Sequence, residues 1–406
     1  MTQGPLTLRK AFEALRAGVP NRAAVLLLGS VEDALEDRFE EGLQRAWCET
    51  RKPGLLFTGG FGAGKSHLLG FLREAALKQN FVVSAVTISK ETPLSAPLSV
   101  FVAAVRNTVA PGQADDIMAV ALSALQQQPA AAQALEAIVS AADSGFSPVF
   151  AAMLHLLSRP QSPDLLRRME TFFAGGKVPG PSLRLALTQA GVRGMFNLHG
   201  ITEATLIHQR ERFAPLLFRA AGFAGWCVLI DELELIGRYS PLQRARAYAE
   251  LARWLGLGRE PAMPGLYVAA AITDDYASQV ISGRQDDEKL PERLRLKRAP
   301  EQADLALAAM RAIGTAPMLT PPTEADLLRY AEQLRVSYGI TYEWKAPPAT
   351  VGERRANRTM RHHIRGWITQ WDVLRLQGRA AGLEHGTIAV NYSETEDLDE
   401  ASQNDD

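Results

Sequence analysis

Gly59-Gly60-Phe61-Gly62-Ala63-Gly64-Lys65-Ser66 fits the pattern G-x-x-x-x-G-K-[ST] without a mismatch. The chemistry of such a stretch is phosphate binding. Glycines let the backbone curl until its N–H groups point at an anion, and a following helix N-terminus adds favourable potential. Lys65 would then reach the β- and γ-phosphates of ATP, and the Ser66 hydroxyl would hold Mg²⁺. His67 follows directly; counted with the loop by position, it is also what a helix residue packed nearby would look like.

A second constellation is Cys227-Val228-Leu229-Ile230-Asp231-Glu232, four apolar residues ending in two carboxylates. Asp231 is assigned to the Mg²⁺ shell and Glu232 to the water that attacks the γ-phosphate. An ordinary strand followed by an N-cap Asp would read the same way alone. Joined to the upstream loop, the pair is better explained as a Walker B motif. Glu234 is a third acid nearby, expected at the surface rather than in catalysis. Thr273 follows the apolar run 266–272, where an additional-strand P-loop ATPase carries a polar sensor of the γ-phosphate; a strand-terminal cap or turn role is the competing reading. Arg293, Arg295, Lys297 and Arg298 could supply an arginine finger or form a solvated face. Arg354, Arg358, Arg361 and Arg365 are spaced to project from one side of a helix, either as a sensor arginine, as a stripe for nucleic-acid phosphates, or as plain solvated surface.

These residues need strands and helices to place them. Residues 31–50 set Leu35, Phe39, Leu43 and Trp47 on one helical face, and Pro53-Gly54 ends that helix. Residues 55–58 form a short apolar run before the loop, 67–78 return to helical periodicity, and 81–89 read as a buried strand. From 97 to 217 the chain becomes rich in alanine and leucine, as in 119–139, and no strand pattern is visible. Strands return at 226–230 and 266–272, with 317–319 a candidate for one more. Helices are expected at 242–255, 324–336 and 354–376.

The division that follows is 1–96, N-terminal helices and the first part of the core; 97–217, a helical insertion; 218–320, the rest of the core; 321–392, a C-terminal helical lid; and 393–406, an acidic disordered tail. The fold class is therefore α/β, a P-loop NTPase parallel sheet flanked by helices, with an insertion and a lid. Composition agrees. In 406 residues, 47% are hydrophobic and 22% charged, which excludes a disordered or fibrous chain. Two distant cysteines, Cys48 and Cys227, offer neither a disulfide framework nor a zinc site. No apolar run is long enough to span a bilayer and residues 1–10 lack a secretory pattern, so a cytoplasmic protein away from the membrane is expected. The formal net charge of −1 hides an uneven distribution, since the last fourteen residues hold seven acids and no base. The remaining body is mildly basic.

The segments LRAGVPNRAAVLLLG, GGFGAGKSHLL, VTISKETPL, LIDELELIGRYS and PMLTPPTEADLLRYAEQL together resemble the ATP-binding P-loop proteins of BREX-type phage-defence systems, the BrxC/BrxD group. The resemblance implies an AAA+, origin-recognition-like ATPase of the ASCE class with a helical lid and a winged-helix element. It implies ATP and Mg²⁺ as cofactors, Lys65, Ser66, Asp231 and Glu232 as the main site, and Thr273 and Arg358 as sensors. Its implied setting is a homo- or hetero-oligomeric assembly with other defence proteins, in contact with double-stranded DNA. The long spacing from Lys65 to Asp231 departs from the plainest AAA+ pattern. The leading expectation is an ATP-hydrolysing switch or motor; the alternative is a nucleotide-dependent scaffold with little ATPase activity of its own. A kinase using the same loop is disfavoured by the glutamate beside Asp231.

Overall fold

The apolar runs ending at the glycine loop and at Asp231 both form strands, and a third strand lies between them. In the computed structural model, which describes residues 4–19, 21–48, 53–113, 116–159, 161–258, 263–349 and 359–378, the strands are β1 (Leu55–Thr58), β2 (Val82–Thr87), β3 (Thr108–Val109), β4 (Trp226–Asp231) and β5 (Leu266–Ile272). Their order is β1-β5-β4-β2-β3, parallel except for β3, which runs antiparallel to β2. Thr58 pairs with Ile272, and Thr87 with Asp231, so the carboxyl ends of the parallel strands meet at one edge. Beyond β1, Thr58 N–H donates to Pro317 O and Leu319 N–H to Thr58 O, both at 2.8 Å. The expected strand at 317–319 is reduced to this single bridge. The architecture is mixed α/β with a mostly parallel, helix-flanked sheet, consistent with a P-loop NTPase.

Alternate strand residues feed two cores, as a sheet buried on both faces requires. Cys227, Leu229, Ala269 and Ala271 face the helices Asp33–Trp47 and Lys65–Lys78 through Phe39, Leu43, Leu68 and Leu72. Each such burial contributes about 1.5–3 kcal/mol, so the Lys65 helix is anchored by its inner face. Trp47 departs from expectation and is 52% exposed, with the Arg219 guanidinium over its ring. Steps of four residues overshoot a 3.6-residue turn by about 40° each, so three steps from Leu35 rotate Trp47 by about 120°, away from the sheet.

Val228, Ile230, Val268, Ala270 and Ile272 face the other core, with the helices Pro97–Arg106, Pro241–Trp254 and Pro300–Gly314. The described residues between β3 and β4 form six helices, Ile117–Gln127, Pro129–Ser140, Pro148–Leu157, Pro163–Phe173, Gly180–Gln189 and Glu203–Ala220. The run 119–139 is split at Pro129, which lacks an amide hydrogen and suits a helix's first position. Among the described residues, the absence of strand expected in 97–217 fails only at β3, two residues pairing with the sheet edge. Phe173 and Phe213 stack at 4.8 Å within these helices. Their aromatic cluster joins the sheet core around Trp226, whose ring meets Phe101, Phe218 and Trp254. The six helices share one core with the sheet.

A third cluster holds the helices Glu324–Tyr342 and Met360–Gln377 against the N-terminal helices Pro5–Ala17 and Arg22–Leu28, through Phe12, Leu28, Tyr338, Trp367 and Trp371. Arg16 donates to both oxygens of Asp372 at 2.7 and 2.8 Å, tying the first helix to the last. No helix among the described residues is long and apolar enough to cross a membrane. The acidic tail and the residues that a winged helix would occupy after 378 lie outside the described residues.

Candidate nucleotide site

The loop begins where β1 ends. Gly59 N–H donates to Ile272 O at 3.2 Å, which ties the loop's first residue to the end of β5. Gly62 (φ +77°) and Gly64 (φ +118°) take left-handed conformations that side chains other than glycine rarely adopt. Gly64 also precedes the helix Lys65–Lys78 without a capping side chain, so the first-turn amides remain available to an anion. Lys65 is buried, and its Nζ donates to Gly59 O at 2.9 Å. His67 is half-buried; its Nε2 lies 2.7 Å from Gly29 O, and burial lowers its pKa. The ring therefore anchors the N-terminal segment to the loop helix, the packed-residue alternative.

On β4, Asp231 ends the strand and Glu232 N–H donates to Asp231 Oδ1 at 2.9 Å. Glu232 sits at φ +61°, a reversal that leads into the 3₁₀ turn Leu233–Arg238. Burial and then the Asp231 charge raise its carboxyl pKa, while Lys65, Arg361 and Arg238 work against them. The same turn overturns the surface expectation for Glu234. It is only 5% exposed, and its Oε1 lies 3.7 Å from Lys65 Nζ. Its Oε2 is buried without a hydrogen-bond partner, and burial pushes the carboxyl up to about 7 against the pull of Lys65. The reason is local. Leu233 and Ile236 must enter the core, and a 3₁₀ turn with that anchoring swings Glu234 inward. An acid set inside the run Leu233-Glu234-Leu235-Ile236 was the signal available for this.

Thr273 is buried at the end of β5, and Asp274 Oδ2 lies 3.5 Å from where a Cβ on Gly60 would be. The C-terminal helix closes on the loop from the opposite side. A Cβ on Gly62 would lie 3.0 Å from Thr359 Oγ1, Arg361 N–H donates to Gly62 O at 3.4 Å, and the Arg361 guanidinium stands 5.1 Å from the Phe61 ring centre. Arg354 and Arg358 lie outside the described residues; Arg361 is the described member of the stripe that reaches the loop, while Arg365 is exposed. Arg293, Arg295, Lys297 and Arg298 are exposed, and none lines the cleft.

The cleft encloses about 170 Å³. Its lining combines Gly62 to Ser66, Glu232 and Glu234 with the apolar Leu15, Val19, Leu28, Pro322, Tyr330 and Ile364. Such a slot suits a flat base attached to phosphates. The N-terminal wall was not assigned from sequence, because only packing brings it beside the loop. Ser66 and Asp231 offer a hydroxyl and a carboxylate, oxygen donors of the kind Mg²⁺ takes.

The model of the BREX system ATP-binding protein family BrxC/D matches residues 7–149 and 187–367. The chain belongs to this family. The internal stretch left unmatched, 150–186, falls among the helices between β3 and β4, whereas the loop, β4, β5 and Arg361 are all within the match. Neither a curated protein nor a solved structure is significantly similar to the chain. Membership of a BREX ATP-binding family implies nucleotide binding and a role in phage defence.

Proposed function

We propose that this BREX family member binds ATP with Mg²⁺ in the cleft and hydrolyses it, acting as an AAA+-like switch in a DNA-linked defence assembly. The observation that carries the reading is the convergence of Lys65, Glu232 and Arg361 on one cleft although they come from three distant parts of the chain. Interposing β5 between β1 and β4 supports the additional-strand class. The loop amides and Lys65 bind the phosphates. Ser66 and Asp231 would hold Mg²⁺, which supplies neutralising charge at the β- and γ-phosphates when bound. Glu232 orients the attacking water and accepts its proton. Thr273 reports the γ-phosphate from β5. Arg361 takes the sensor role that the resemblance implies for Arg358, because it lies against Phe61 and Gly62.

The division into core, insertion and lid follows this assignment, with the helices Glu324–Tyr342 and Met360–Gln377 as the lid. A neighbouring copy or another defence protein would supply a further arginine, for which the exposed group Arg293, Arg295 and Arg298 is suited. Exposed Arg365 is the candidate for duplex DNA phosphates.

The test is steady-state ATP hydrolysis and ATP binding by wild type, Glu232→Gln and Lys65→Ala, with and without duplex DNA. Glu232→Gln is expected to lose about 10²–10⁴-fold in turnover while retaining ATP, as removal of a general base does. Lys65→Ala is expected to lose binding. Binding by wild type with no turnover in any condition would replace the switch with a nucleotide-dependent scaffold.

A further inference from the structure

The nucleotide reading assigns Lys65 to the phosphates, yet its ammonium already has two neighbours. Nζ donates to Gly59 O at 2.9 Å and faces Glu234 Oε1 at 3.7 Å, with both side chains buried. The second oxygen of that carboxylate has no hydrogen-bond partner. Glu234 therefore depends on Lys65 for compensation of its charge. We propose that Glu234 is a positioning residue that competes with the nucleotide phosphates for Lys65 and so limits how tightly the cleft holds nucleotide. The proposal deepens the ATP reading and rests on it.

Two effects act in the same direction. When phosphate enters, Lys65 must turn part of its charge from Glu234 to the ligand, leaving a buried carboxylate less compensated. The ligand also brings negative charge next to that carboxylate, and like charges at short range in a partly dry site repel strongly. The bound state is thus raised relative to the empty one by a residue that need not touch the ligand. Replacing Glu234 with glutamine keeps the volume and removes both effects. It also leaves Lys65 without its buried counter-charge in the empty cleft, which again favours the phosphate-bound state. The purpose of such an arrangement in a switch is release, since a cleft that holds ATP and ADP less tightly can exchange them.

The experiment is calorimetric titration of ATP, and of a non-hydrolysable ATP analogue, with Mg²⁺, into full-length wild type, Glu234→Gln, Glu234→Met and Glu234→Asp, beside KM and kcat for ATP. Glu234→Gln is expected to tighten Kd about tenfold, a modest part of what a charge at this distance can exert. Glu234→Met should tighten it likewise, and it keeps the test open if the glutamine variant folds poorly. Glu234→Asp, which retains the charge, should stay nearest to wild type. KM should fall with Kd while kcat does not rise. A residue needed only for structure would weaken binding instead. Unchanged or weaker binding in the folded Gln and Met variants, with ATP bound by wild type, overturns this inference alone. No ATP binding by wild type overturns the nucleotide reading and this inference with it.

Discussion

Gly62 shows how one position can answer to both the backbone and its surroundings. Its φ of +77° costs a residue with a side chain about 1–2 kcal/mol. A methyl group there would also press on Thr359 Oγ1 at 3.0 Å, so the Thr359 side chain at the start of the C-terminal helix would have to give way by a few tenths of an ångström. Gly62→Ala is therefore expected to lower the melting temperature and weaken ATP binding by at least about tenfold, the equivalent of some 1.4 kcal/mol. Unaltered affinity in the folded variant would mean that the loop and the Thr359 end of the helix are not linked. Glu232 makes the opposite choice, a charged residue held left-handed, where the reversal after Asp231 keeps its carboxylate beside the loop.

At the scale of elements, the helices Glu203–Ala220 and Pro241–Trp254 meet through charge as well as packing. His208 Nδ1 lies 3.0 Å from Glu211 Oε2, and Arg253 Nη1 donates to Glu250 Oε1 at 2.9 Å while standing 3.3 Å from His208 Nε2. His208, Glu211 and Glu250 place their ligand-type atoms within 4.8 Å, but a guanidinium already stands among them. Burial works to lower the His208 pKa; the hydrogen bond and charge of Glu211, with the charge of Glu250, outweigh it against Arg253 and hold it above the usual value. A histidine pKa raised by folding stabilises the fold below the unfolded value near 6.5. That contribution is lost as pH rises through the folded value. Urea unfolding at pH 6 and pH 9 checks this: His208→Gln should cost stability at pH 6 and much less at pH 9. An equal cost at both would mean that the ring acts by packing alone.

Across the whole molecule, the cleft is only as well made as the join between the two chain ends. Its apolar wall draws Leu15 and Leu28 from the N-terminal helices and Ile364 from the last one, and the third core cluster holds these together. Trp371 is fully buried in that cluster, far along the helix from Arg361. Trp371→Ala is expected to cost about 3–5 kcal/mol. Because the helix also presents Arg361 to the loop, ATP affinity should fall with it, and proteolysis should begin in the C-terminal helices before the sheet. A variant that loses stability but binds ATP as wild type does would separate the C-terminal helices from the nucleotide site.

What was legible in the sequence was what local chemistry dictates. A glycine-rich turn that ends in Lys65-Ser66, and an apolar strand that ends in Asp231-Glu232, can be read residue by residue, because backbone freedom, helix starts and buried parallel strands each leave a short-range pattern. The family could be read from more specific segments beside them, LRAGVPNRAAVLLLG and KETPL. Packing decided the rest. Sequence spacing could not show that β5 would lie between β1 and β4, that a 3₁₀ turn would carry Glu234 inward to Lys65, or that Arg361 would be the described arginine reaching Phe61. The helices after β3 joined the sheet's core for a related reason. A residue's partners across hundreds of positions depend on how whole faces of helices and sheet are buried together, and local periodicity does not encode that.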